Sequence, residues 1–203
     1  MLTESHQIQI PAVILAAGEA RRFGKIKQLM PWGNRSVLES VIASALITGL
    51  DPIYVVLGAN SAIIKEKIAA WPVTILINQD WTDGQGSSLR LAASSLLQSS
   101  QGFLTLLGDQ PQITPDLMRA VALKGLESGK VARPQIGDRR GHPVYFPQVS
   151  LDMLRALGPD QSGRDVVRAF PNEQLPWFDE SMTLDMDTPA DYEILKAVFK
   201  LDV

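Results

Sequence analysis

The order of segments along the chain predicts an α/β fold in which a mainly parallel sheet is covered by helices on both faces. Short apolar runs alternate with longer segments of helical period, as βαβ units require. With 203 residues, 45% of them hydrophobic, the chain can bury one sizeable core, so a single domain over residues 1–203 is expected.

The first run, IQIPAVILAA (Ile8 to Ala17), reads as a strand with Pro11 near its start, where a missing N–H is tolerated. A helix is predicted from about Ser36 to Gly49, with Val37, Leu38, Val41, Ile42, Ala45 and Leu46 on one stripe and Gly49 as the stop. PIYVVLG gives a second strand, Ala62 to Trp71 a helix, PVTILIN a strand, and Ser87 to Gln98 a helix entered through DGQGSS. FLTLLGDQP opens as a buried strand between Gly102 and Gly108. Thr114 and Pro115 fit the N-cap and first position of a helix reaching about Ser128. After Gly129, VARPQIGDRRGHPVYF suggests two short strands around a polar turn. Helices near Val149 to Leu157 and Gly163 to Ala169, a short strand at Leu184 and a helix from Pro189 to Phe199 complete the chain. Right-handed crossovers would align the turns that follow the strands along one edge, the usual ligand edge of such sheets.

Composition removes several classes of function. A net charge of −3 and a pI near 5.4 give no broad positive field for gripping nucleic acid. Nowhere do eighteen apolar residues run together, and the first twenty contain no Lys or Arg, so neither a membrane span nor a secretory signal is expected. The absence of cysteine removes disulfides, thiolate nucleophiles and Cys-ligated zinc, and fits a reducing, cytoplasmic setting.

Against that acidic background, LAAGEARRFGKIKQL (Leu15 to Leu29) gathers Arg21, Arg22, Lys25 and Lys27 directly after the first strand. Its N–H groups and cations would line the carboxyl edge of the sheet as an anion site, suited to the roughly four negative charges of a nucleoside triphosphate. A solvated basic loop is the alternative. It is not a P-loop, because five residues separate Gly18 from Gly24 and Ile26 follows Lys25, and it lacks G-x-G-x-x-G.

Asp109 ends the apolar run FLTLLG, and Thr114 is already the plausible cap of the next helix, so Asp109 reads as a hard oxygen ligand for Mg²⁺ rather than a structural Asp. Asp187 in TLDMDTPADY is a second candidate, although it could simply flank a helix start. Asp185 would face the same side of a continued strand, and the choice between the two stays open. Gly84, Gly86, Ser87 and Ser88 at a helix N-terminus can cap that helix or hold a phosphate or base. Their order is not that of a G-x-S-x-G nucleophile elbow. His142 has a turn or packing role by default, Arg139 and Arg140 solvate that turn, and Arg164 could meet an anion or a neighbouring Asp.

Together these residues carry a resemblance. LAAGEARRFGKIKQL resembles the L-A-A-G-x-x-x-R-x-G-x-x-K-x-L signature of the MobA-like nucleotidyltransferases. DWTDGQGSSL, LLGDQP, RRGHPVYF and LDMDTPADY, in order over nearly the full chain, are similar to the molybdenum cofactor cytidylyltransferase branch. The resemblance implies a Rossmann-like three-layer αβα sandwich with a mainly parallel twisted sheet. It also implies transfer of CMP from CTP to the terminal phosphate of the molybdenum cofactor, with Mg²⁺ as cofactor and a recipient molybdenum enzyme as a further partner. Carried over by position, Leu15, Ala16, Ala17 and Gly18 would face the nucleotide with Gly86 and Ser87. Arg22 and Lys27 would hold phosphates and act with Asp109 in catalysis, and Asp109 and Asp187 would hold the metal. Ala17 leans the chain towards cytosine, because guanylyltransferase relatives commonly read L-A-G-G. Relatives often carry Ser at the position of Ala20 and Met at that of Gln85, and GPDQSGR only partly matches their G-D-x-G-x-R.

Overall fold

The computed structural model describes residues 10–96 and 101–201. The expected start of the first strand, Ile8 and Gln9, and the expected end of the Ser87–Gln98 helix, Leu97 and Gln98, lie outside them.

Strand β1 (Ala12–Ala16) is buried along its whole length, which is why it reads as an unbroken apolar run. It lies parallel between β4 (Ile53–Leu57) and β6 (Gly102–Leu107), with Leu15 level with both Val56 and Leu107. Strand β5 (Thr74–Ile77) extends the sheet in parallel beside β4. On the other side β9 (Val144–Pro147) runs antiparallel between β6 and β7 (Val131–Ile136). Strand β8 (Arg139–Arg140) pairs with β7, and β10 (Asn172–Pro176) closes that edge in parallel with β7. The sheet is therefore mixed but mostly parallel, in the order β10-β7-β9-β6-β1-β4-β5.

Alternation along β1 builds the two helical layers. Ala12, Ile14 and Ala16 join the core formed with α1 (Val37–Ile47) and α4 (Pro115–Ser128), where α2 (Ser61–Lys67) adds Ile64. Val13 and Leu15 join the core on the opposite face with α3 (Gln85–Ser95), α5 (Leu151–Arg155) and α6 (Gly163–Ala169). Each fully buried Ile or Leu contributes about 2 kcal/mol by leaving water. A third cluster joins Phe23, in the loop after β1, to Trp32 and Val37 and to Met186, Tyr192 and Leu195, the last two on α7 (Pro189–Val198). Trp32 belongs to a small hairpin of β2 (Pro31–Trp32) and β3 (Arg35–Ser36), turned by Gly33 and Asn34.

The helix starts follow local chemistry. Thr114 accepts a hydrogen bond from Leu117 N–H, and Ser36 with Glu39 and Thr188 with Asp191 form capping boxes. Two expectations fail for identifiable reasons. Helix α2 stops at Lys67 rather than Trp71: Ala69 N–H donates to Glu66 O and Trp71 N–H to Ile68 O, so the chain tightens into turns, and Trp71, which precedes Pro72, is kept out of the helical region. The short strand expected at Leu184 is absent: Glu180–Thr183 form a 3-10 turn, and the Leu184 carbonyl accepts from the Gln112 side chain instead of a sheet neighbour.

Candidate active site

The loop after β1 is held from two sides. Ala20 takes a left-handed φ of 55°, and its carbonyl accepts from both Phe23 N–H (2.9 Å) and Gly24 N–H (3.3 Å). Phe23 is buried edge-on against Tyr192 at 6.1 Å. The Gln28 amide donates to the carbonyls of Ala16 and Gly18 at 3.3 and 3.2 Å, fixing the other wall. Gly24, at φ 73°, supplies the second left-handed position needed to turn the chain back.

The end of β6 is pressed onto this loop. Gly108 N–H donates to Leu15 O at 2.9 Å, and a Cβ on Gly108 would stand 2.8 Å from that of Ala16, so only glycine permits the approach. The next residue, Asp109, thereby reaches the loop. The 3-10 turn Lys27–Leu29 directs Lys27 inward, where its ammonium meets Asp109 Oδ2 at 2.5 Å and Asp187 Oδ1 at 3.3 Å and donates to Met186 O at 3.2 Å. Arg22 Nη2 contacts Asp187 Oδ2 at 2.7 Å. Asp187 is itself set by helix α7, because its N–H donates to Asp191, the acid of the capping box. Both partners of the Arg22–Asp187 pair are substantially exposed, so it adds little to stability. Its significance is the place where it gathers charge.

Leu15, Ala16, Ala17, Gly18, Arg22, Lys27, Asp109 and Asp187 thus line one cavity of about 380 Å³, the size of a small-ligand site. Of the other two cations, Arg21 reaches the cavity while paired with Glu19, and Lys25 is exposed and away from its wall. Gly18 has no left-handed φ, and a Cβ there would meet nothing within 4 Å. Nothing within the folded chain requires glycine at that point.

Gly86 and Ser87, expected beside the nucleotide, do not line the cavity. Gly86 is packed under the Gln161 backbone, whose oxygen would be 2.1 Å from an added Cβ, and the Ser87 hydroxyl is engaged by Asn78 and Gly84. Gly84, Gln85 and Ser88 line it in their place, with Trp81, which rests on Gly58. Gln28 and Trp81 were not singled out in the sequence, where they belong to neither the cationic nor the acidic pattern, and Gln85 stood out only as a departure from the Met of relatives.

The structure also separates Asp185 from Asp187. With no strand through Leu184, Asp187 turns to the first cavity, while Asp185 lines a second cavity of about 340 Å³ that shares Leu15, Gln85 and Leu107 with the first. Desolvation, then the like charges of Asp187 and Asp109, hold the Asp185 carboxyl above its ordinary range. Asp109 and Asp187 already share one cation, the Lys27 ammonium, so their oxygens converge on a common point. Two carboxylates beside open space suit a hard divalent ion whose remaining ligands are phosphate oxygens and water. Among the described residues no group of three or more His, Cys, Asp or Glu side chains could hold a metal, so such an ion depends on those outside ligands.

A sheet whose carboxyl edge carries a cationic loop and two converging acids has the build of a nucleotidyltransferase. The chain belongs to the MobA-like NTP transferase domain family, whose model matches residues 12–175. It is 29% identical to a nicotine blue oxidoreductase of Paenarthrobacter nicotinovorans over 88% of this chain and 92% of that protein. It is 28% identical to the molybdenum cofactor cytidylyltransferase of Escherichia coli K12 over 90% and 93%. Among solved structures, Rv0371c of Mycobacterium tuberculosis H37Rv superposes with a TM-score of 0.80 at 29% identity, covering 92% of this chain and 97% of that one. A manganese complex of the same protein matches with a TM-score of 0.76 at 28% identity and the same coverage.

Proposed function

We propose that the protein transfers CMP from CTP to the terminal phosphate of the molybdenum cofactor, releasing pyrophosphate, with Mg²⁺ as the working ion. The observation that carries this reading is the convergence of Lys27, Asp109 and Asp187 beside the bare backbone of Ala16, Ala17 and Gly18. The E. coli relative supports the acceptor, Ala17 supports cytosine, and the manganese complex of the mycobacterial neighbour supports the use of a divalent ion. A cytoplasmic location and hand-over of the product to a molybdenum enzyme belong to the same proposal.

An acceptor phosphate is already ionised near neutral pH, so no strong general base is needed. One of its oxygens forms the new bond to the α-phosphorus of CTP while the bond from that phosphorus to the bridging oxygen breaks. Pyrophosphate leaves with the bonding pair. Repulsion between the two anions is the main obstacle, and the site is built to lower it. Arg22 and Lys27, held on carboxylates in the free protein, would turn their charge to the triphosphate. Gly18 would admit the phosphates against the main chain, and Asp109 and Asp187 would hold Mg²⁺. That ion, when bound, supplies charge neutralisation of the triphosphate and of the departing pyrophosphate.

Pyrophosphate release measured with CTP, GTP and ATP, with and without molybdenum cofactor, and with Mg²⁺ or a chelator, tests the reading. Release only with CTP, cofactor and Mg²⁺ together is expected. Release with another phosphorylated acceptor or with GTP would redirect the specificity. Cofactor binding without release under any condition would make the protein a carrier. Redox turnover without pyrophosphate release, the activity named for the P. nicotinovorans relative, would overturn the reading.

A further inference from the structure

Asp109 and Asp187 stand on stretches of chain that share no strand pairing, yet their oxygens close on one ammonium. Asp109 comes just beyond β6, whereas Asp187 comes after the 3-10 turn Glu180–Thr183 and belongs to no strand. Helix α7 holds Asp187 from behind, but a helix end fixes an acid only relative to its own helix. Something else must fix the distance between the two stretches.

Gln112 spans them. Three residues beyond Asp109, it sends its side-chain amide across the gap, where Nε2 donates to Leu184 O at 2.8 Å and, more distantly, to Ser181 O at 3.5 Å. Leu184 lies three residues before Asp187. One side chain therefore joins the two main chains at equal spacing from the two acids. Gln112 is 3% exposed, so water hardly competes for this tie. The turn it grips is confined on other sides as well: Arg139 Nη2 donates to Thr183 O at 3.1 Å, and a Cβ on Gly141 would stand 3.1 Å from Met182 O.

The energetics argue for placement rather than stability. Gln112 Oε1 is buried and has no hydrogen-bond partner among the described residues, so an orphaned acceptor offsets what the donated bonds gain. Ser181 O also accepts from Leu184 N–H at 3.1 Å and does not depend on the glutamine. What the amide adds is a fixed place for Leu184 O, and through it for Asp187, relative to Asp109. Gln112 itself lines neither cavity.

Resting on the metal-dependent transfer reading, we propose that Gln112 is a positioning residue for the divalent-ion site: it sets the separation of Asp109 and Asp187 without touching ion or nucleotide. Partners that orient ligating side chains from behind typically govern metal affinity by roughly 10- to 100-fold.

Mn²⁺ is the probe, titrated into the full chain with saturating CTP and no acceptor, and free ion is followed by electron paramagnetic resonance. CTP binding in a chelator and a thermal melt accompany it. Gln112→Met, which keeps the bulk and removes the donor, should bind Mn²⁺ about tenfold more weakly than wild type. Its metal-free CTP affinity should stay within about twofold. Gln112→Asn, one carbon shorter, should repeat that split. Tyr145→Phe is the control, because it removes a comparable tie, from Tyr145 Oη to Gln101 O at 3.0 Å, at the other end of β6. It should leave Mn²⁺ affinity unchanged while melting no higher than Gln112→Met. Mn²⁺ affinity within about twofold of wild type in both Gln112 variants would overturn the inference. So would an equal fall in metal-free CTP binding, an equal loss in Tyr145→Phe, or failure of both Gln112 variants to fold. A wild type that takes up no Mn²⁺ with CTP would instead remove the reading on which the inference rests.

Discussion

Replacing Lys27 by Ala removes one cation from three acceptors: Asp109 at 2.5 Å, Met186 O at 3.2 Å and Asp187 at 3.3 Å. The lysine side chain is 11% exposed, its two carboxylate partners 25% and 39%. Breaking a fully buried pair costs about 3–5 kcal/mol. Here both stranded carboxylates touch water and Arg22 stays on Asp187, so the expected loss is about 1–2 kcal/mol, or a fall in Tm of roughly 2–8 °C for a chain of this size. The larger effect should fall on the nucleotide. Losing one charge-assisted contact worth about 1.5–3 kcal/mol weakens CTP binding by roughly 10- to 150-fold. Calorimetric titration with CTP and Mg²⁺, paired with a thermal melt, reads both quantities, and Lys27→Met controls for lost volume. Manganese alone should bind the variant more tightly, because the ammonium no longer competes for the two acids. A folded variant whose CTP affinity lies within twofold of wild type would refute the contact between Lys27 and the phosphates.

Asp109→Asn should abolish pyrophosphate release while lowering the unfolding free energy by about 1 kcal/mol, since the amide keeps the shape and loses only the charge; near-normal turnover would remove Asp109 from the chemistry. The two glycines predict opposite outcomes. Gly18→Ala should melt like wild type yet bind CTP at least tenfold more weakly, whereas Gly86→Ala should lose about 1–3 kcal/mol of stability by forcing the Gln161 backbone away. Equal effects in a paired melt and titration would contradict the roles assigned to them. His142 gives a pH signature. Its folded pKa of about 4 lies below the ordinary 6.5, so the unfolded chain binds a proton that the folded one refuses. The stability that the neutral ring confers is therefore complete above pH 6.5 and is lost as pH falls towards 4. Between pH 7.5 and 4.5 wild type should lose about 2.5 kcal/mol more than His142→Gln in urea titrations, and parallel losses in the two proteins would contradict that burial.

Much of this molecule was legible in the chain. Strands β1, β4 and β6 announced themselves as apolar runs because they lie inside the sheet with both faces covered. The starts of α4 and α7 were legible because Thr114, Thr188 and Asp191 accept from N–H groups only a few residues away, and Pro115 and Pro189 bring no N–H of their own to the first turn. The cationic loop and Asp109 stood out for a similar reason: charge beside an apolar strand end is a local anomaly. Strand β10 gave no such signal. Its five residues, NEQLP, carry no apolar alternation, and it is a strand because its backbone pairs with β7, a property that any sequence shares. The β2–β3 hairpin escaped notice on the same ground, whereas a strand at VYFP was expected and only its antiparallel insertion between β6 and β7 was not.

Sequence by itself determined the kinds of segment, their order and the residues able to carry charge at the sheet edge, because those follow from interactions between near neighbours. Tertiary structure alone decided that Lys27 meets both Asp109 and Asp187, that Asp185 turns to a different cavity, and that Thr105, Gln110, Arg133 and His142 line that cavity with it. Those outcomes depend on register across the sheet and on how α7 folds back over the first loop. They are set by the packing of parts that lie from tens of residues to 160 residues apart, to which no short stretch of the chain holds a key.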